Sequence, residues 1–167
     1  MIVRSRSSGR PTAEGTMDTD DELHALLQQL GVRVAYADLP DDRDGEFCAA
    51  DRLIRLRPNM PRRLHRSVLA HECAHALRGD AALPAGVAAQ RQERRADEWA
   101  ARRLIERASY IRAEQLHGGH VQAIALELEV TVDVVDTYRR LLAQDAVESR
   151  PAPRHPSRRH RSATSGA

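Results

Sequence analysis

The run LAHECAHAL places His71 and His75 four residues apart, with Glu72 directly after the first histidine. Residues four apart on a helix carry side chains about 5–6 Å from each other. Two imidazoles so placed can share one ion at about 2.0–2.1 Å each. Glu72 then projects beside the ion rather than onto it. A carboxylate there can take a proton from an attacking water and later deliver it to a leaving amine. H-E-x-x-H at helical spacing is the arrangement of metal-assisted peptide hydrolysis. Zinc suits the donors best, with manganese as the alternative divalent ion.

Catalytic zinc takes three protein ligands and leaves the fourth position to water, so a further donor must come from elsewhere in the chain. A helix hairpin supplies one. At about 1.5 Å per residue, His71 and His75 lie about 12 and 6 Å back from a stop at Gly79, and Glu93 lies about 9 Å along a returning helix from Val87. Glu93 is therefore level with the gap between the histidines. Asp97, one turn further on the same face, is level with His71 and too deep for the metal. Its role there is to accept the outer N–H of that imidazole and fix its tautomer. The competing reading of RQERRADE is a solvated face held by i,i+4 ion pairs. Tyr110, Tyr36, His65 and Arg78 are unranked candidates for the group that stabilises a tetrahedral oxyanion. His65, six residues before His71, falls on another face of the helix and reads as structural.

The elements that must position these groups are legible in outline. Asp18 or Thr19 can cap a helix through Leu30, with Leu23, Leu26, Leu27 and Leu30 on one face and Gly31 as its stop. Residues 32–37, 46–50 and 53–57 alternate as strands, and three short antiparallel strands are expected. Pro61 opens the helix that carries the histidines, and Gly79 ends it in a left-handed conformation. A second long helix is expected from Val87 to Arg107. Ser109 is expected to cap a short helix, and Gly118 and Gly119 to break the chain before helices at 120–129 and 132–144.

The pair of segments LAHECAHALRGD and QERRADEWAARRLI resembles the ImmA/IrrE family of metallopeptidases, over roughly residues 18–145. The second segment matches the family's E-x-x-A-D-x-aromatic-A-A helix through Glu93, Ala96, Asp97, Trp99, Ala100 and Ala101. The resemblance implies His71, His75 and Glu93 as zinc ligands and Glu72 as the base. It also implies an α+β, zincin-like fold, with the small antiparallel sheet packed on the active-site helices. The segment HVQAIALELEVTVDVVDTYRRLL resembles a helix-turn-helix unit, which recurs at this place in the family. Thr131 is its expected cap, with Val132, Val135, Tyr138 and Leu141 or Leu142 facing inward. Asp133 and Asp136 on its outer face would repel phosphates, and Glu129 stands where the turn commonly has Gly, so both argue against DNA contact by the folded body.

The resulting division is a tail at 1–17, a zinc metallopeptidase domain at 18–116, a helix-turn-helix-like segment at 117–146 and a second tail at 147–167. Both tails are Arg-, Ser- and Pro-rich and read as disordered. They carry most of the basic excess: of 26 basic and 24 acidic residues, 18 basic and 23 acidic lie between residues 17 and 148, so a pI of 8.8 does not describe a basic folded surface. No apolar signal region or membrane-length apolar run is visible, and a cytoplasmic protein is expected. Cys48 and Cys73 read as small buried residues rather than a disulfide.

The resemblance suggests a helix-turn-helix repressor encoded close by as the cleaved protein, as in prophage or mobile-element immunity. The alternative is a non-catalytic anti-repressor or regulatory binding protein with a structural metal site. Glu72 favours catalysis, because a closed structural zinc site needs no base. Nothing in the sequence fixes an oligomeric state.

Overall fold

The computed structural model describes residues 19–149; the Asp18 cap, the expected tail at 1–17 and residues 150–167 of the second tail lie outside them, whereas Val147 and Glu148, expected in that tail, continue the last helix beyond the expected 144. The elements run α1 (Thr19–Gln29), β1 (Arg33–Tyr36), β2 (Gly45–Cys48), β3 (Leu53–Leu56), α2 (Arg62–Arg78), α3 (Val87–Leu104), α4 (Arg107–His117), α5 (Val121–Glu127) and α6 (Val132–Glu148). The fold is α+β. No described helix is long and apolar enough to cross a membrane.

The sheet is mixed rather than all antiparallel. β3 lies in the centre, antiparallel to β2 but parallel to β1, with Arg33 opposite Leu53 and Tyr36 opposite Leu56. Residues 37–44 are too long for a tight hairpin and carry the chain across to the far side of β3. Arg57, just past β3, pins that crossing: its guanidinium donates to Asp44 Oδ1 at 3.0 Å and to the Pro40 and Arg43 carbonyls at 2.8 Å. Strand alternation buries Ile54 and Leu56 completely, and both join the core with Leu23, Leu27, Leu69 and Cys73.

Helix α2 packs against both the sheet and α3. It buries small residues, Ala70, Cys73 and Ala74, and α3 buries Ala96, Ala100 and Ala101. Short side chains let helix axes approach closely, which is what brings the polar residues of the two helices within reach of each other. Gly79 ends α2 at φ 63°, as its lack of a Cβ allows. Helix α3 stops at Leu104, short of the expected Arg107. Ile105 turns extended so that it is buried, and a new helix starts two residues later. Ser109 does not cap α4. Glu106 occupies that position, and its carboxylate accepts the Ser109 hydroxyl at 3.1 Å.

Helix α6 is set on α2 by Ser67, whose buried hydroxyl donates to Arg63 O at 2.8 Å and accepts the Thr131 backbone N–H at 3.1 Å. Thr131 is the N-cap residue by position, but its own side chain makes no capping bond. Val135, Tyr138 and Leu141 face inward, with Val132 and Leu142 packed on the core edge, while Asp133 and Asp136 are exposed. Glu129 takes the left-handed turn conformation, φ 52°, that glycine would adopt without strain. Both cysteines are free. Cys73 is fully buried, and burial pushes its thiol up to about 12, whereas Cys48 is only half-buried.

Candidate active site

His71 and His75 lie one turn apart on α2, and their Nε2 atoms are 3.0 Å from each other. Glu93 reaches over from α3, with Oε2 3.2 Å from His71 Nε2 and 3.7 Å from His75 Nε2. Asp97, one turn on, lies with Oδ1 2.9 Å from His71 Nδ1. The helix hairpin therefore brings Glu93 level with the histidine pair and puts Asp97 behind the first of them.

The donor set identifies what this cluster can hold. A carboxylate accepts hydrogen bonds, so each His Nδ1 that faces one carries the proton. His71 Nδ1 faces Asp97, and His75 Nδ1 faces Asp80 Oδ2 at 3.0 Å. In neutral imidazoles both Nε2 lone pairs are then free, and they converge with a Glu93 oxygen on one point. Three acceptors facing one another repel unless a cation lies between them. Ligands at about 2.0–2.1 Å around a tetrahedral ion are roughly 3.3–3.4 Å apart, and the three observed separations bracket that spacing. His71, His75 and Glu93 thus fit a divalent ion by number, chemistry and distance.

The field at this point favours positive charge. Burial alone would pull the His71 imidazole down, but the Asp97 hydrogen bond and the carboxylates of Glu72, Asp97 and Glu93 outweigh it and hold the group above its ordinary value. Glu72 is 6% exposed, against 56% for the Glu93 side chain. Burial pushes the Glu72 carboxyl up to about 7, opposed by His71 and by a hydrogen bond from the Phe47 backbone N–H, and assisted by Glu93 and Glu46. A carboxylate raised towards neutrality is a competent general base at neutral pH.

Strand β2 closes the other side of Glu72. Gly45 sits against α2 so tightly that a Cβ there would lie 2.5 Å from Val68 Cγ1 and 3.1 Å from Glu72 Cγ. Gly45, Phe47, His71, Glu72, His75 and Glu93 share one open cleft of about 340 Å³. The sequence pointed to neither Gly45 nor Asp80. Asp80 had a signal, since it directly follows the helix stop and lies five residues from His75. Gly45 had none, because its role depends on how the sheet lies on α2.

None of the four oxyanion candidates lines this cleft. Tyr110 donates to Glu114 at 2.6 Å and accepts from Arg139, and Arg78 is spent on the Ala74 and Arg95 carbonyls. Tyr36 and His65 stack and hydrogen-bond to each other. Arg43 is the cation on the cleft wall, held by Asp42 and Glu46.

A search of the curated proteins finds no match to this chain. The family model described as Peptidase_M78, IrrE N-terminal-like domain, matches residues 27–138, a span that takes in the sheet, both histidine- and carboxylate-bearing helices and the first part of α6. With that span covering well over half of its length, the chain belongs to this peptidase family.

Proposed function

We propose that the protein is a zinc-dependent endopeptidase that hydrolyses a peptide bond in one specific cytoplasmic protein, a helix-turn-helix transcriptional repressor of the prophage or mobile-element immunity type. The observation that carries the reading is the convergence of His71 Nε2, His75 Nε2 and the Glu93 carboxylate on one point, with the buried Glu72 beside it on the same helix. Family membership supports a metallopeptidase activity. The repressor substrate rests on the family resemblance alone.

His71, His75 and Glu93 would hold the ion, and Asp97 and Asp80 keep the two imidazoles turned towards it. A bound zinc supplies Lewis-acid polarisation of the scissile carbonyl and makes water a nucleophile near neutral pH. Glu72 takes the proton from the water that attacks the carbonyl carbon. It then passes that proton to the amide nitrogen as the C–N bond breaks, and the second proton of the water moves from the new carboxylic acid to the amine, leaving a carboxylate and an ammonium group. The cleft beside Glu72 encloses about 340 Å³, too little for a folded domain, so the substrate is expected to present its cut site as an exposed segment.

The test is incubation of the zinc-loaded protein with the purified repressor encoded beside it, followed by intact-mass spectrometry. One cut is expected, lost when a chelator strips the zinc. A repressor that stays intact while fully bound to the zinc-loaded protein would instead establish the non-catalytic anti-repressor reading.

A further inference from the structure

We propose that Asp80 is the principal positioning residue of the metal site, acting through His75, and that the two histidines are supported unequally. The inference rests on the reading of His71, His75 and Glu93 as metal ligands. Asp80 is locked to His75 at two places. Its backbone N–H donates to the His75 carbonyl at 3.0 Å, and its carboxylate Oδ2 accepts from His75 Nδ1 at 3.0 Å. The left-handed Gly79 makes this return possible, with its own N–H on the Ala76 carbonyl at 3.2 Å. The turn that ends α2 is therefore also the turn that aims the second imidazole.

Burial separates this contact from its counterpart at His71. The side chains of His75 and Asp80 are 9% and 17% exposed, whereas those of His71 and Asp97 are 23% and 49% exposed. Water competes less for the buried pair, and a hydrogen bond is electrostatically stronger where the local dielectric is low. The same loop also braces the helix that carries the third ligand: Gln92, next to Glu93, donates from Nε2 to the Ala81 carbonyl at 3.2 Å. Asp80 thus holds the more buried ring and directly precedes Ala81, whose carbonyl Gln92 reaches, while Asp97, itself on the Glu93 helix, holds the more exposed ring.

The experiment measures the zinc dissociation constant of the full chain by competition with a chromogenic chelator, for wild type, Asp80→Ala, Asp80→Asn and Asp97→Ala. Nitrogen-15 NMR of the zinc-free protein reports the His75 tautomer. Asp80→Ala should weaken zinc by about 10–100-fold, the loss typical of removing a partner behind a ligand histidine, and by more than Asp97→Ala. Asp80→Asn keeps an acceptor oxygen without the charge and should fall between wild type and Asp80→Ala. His75 should carry its proton on Nδ1 in the wild type and lose that preference in Asp80→Ala. Helical circular dichroism checks folding, and if Asp80→Ala unfolds, Asp80→Asn against Asp97→Asn gives the same comparison. An Asp80 variant that binds zinc like wild type, a larger loss from Asp97, or a His75 proton on Nε2 in the wild type would overturn the proposal. These outcomes leave the metal site itself standing. A wild type without measurable zinc affinity would instead refute the metal-site reading.

Discussion

Glu72→Gln is expected to keep zinc at wild-type stoichiometry and to lower turnover by about 10²–10⁴-fold, the range contributed by a positioned general base. Glutamine matches the shape of the buried side chain and can still accept the Phe47 backbone N–H, so the fold has little reason to change. It cannot take up a proton, and the neighbouring carboxylates are engaged elsewhere: Glu93 and Asp97 with His71, Asp80 with His75, Glu46 with Arg43 and Arg55, and Asp42 with Arg43. Rates measured on the cleaved repressor, beside zinc content and a melting curve, separate loss of chemistry from loss of metal or fold. Cleavage by Glu72→Gln at the wild-type rate would remove Glu72 from the mechanism.

Gly45→Ala is expected to damage stability and catalysis together while sparing zinc. The new methyl would sit 2.5 Å from Val68 Cγ1 and 3.2 Å from Glu72 Oε1, well inside contact distance. Either β2 lifts from α2 or the Val68 and Glu72 side chains move. Forcing a methyl into a packed contact costs typically about 1–3 kcal/mol. The three atoms nearest this methyl belong to Val68 and Glu72 and to none of the ligand side chains, so zinc affinity should stay near wild type while turnover falls. A melting temperature and a turnover number both equal to wild type would show that β2 does not set the position of Glu72.

The site was legible because its parts follow from one-dimensional rules. The four-residue spacing of His71 and His75 fixes a common helix face, and the rise per residue from Gly79 and Val87 fixes the level of Glu93 and Asp97. Helix ends written by proline and glycine were legible for the same reason, as at Pro61, Gly79 and Gly118. What was not legible depends on tertiary packing. The parallel pairing of β1 with β3 arises from a crossing pinned by Arg57, an interaction that strand alternation does not encode. The early end of α3 reflects burial of Ile105 in the shared core, which overrides an otherwise continuous helical pattern. Gly45 gains its meaning only from the two side chains that fill the space its missing Cβ leaves.

The proposed reaction depends on one divalent ion held by His71, His75 and Glu93. Elemental analysis of purified wild type, His71→Ala and Glu93→Ala after identical zinc loading and desalting tests this site most directly. One zinc per wild-type chain and a marked loss in both variants are expected, because each substitution removes one of the three protein ligands of a catalytic site. Equal zinc in all three proteins, or none in the wild type, would contradict the three-ligand site.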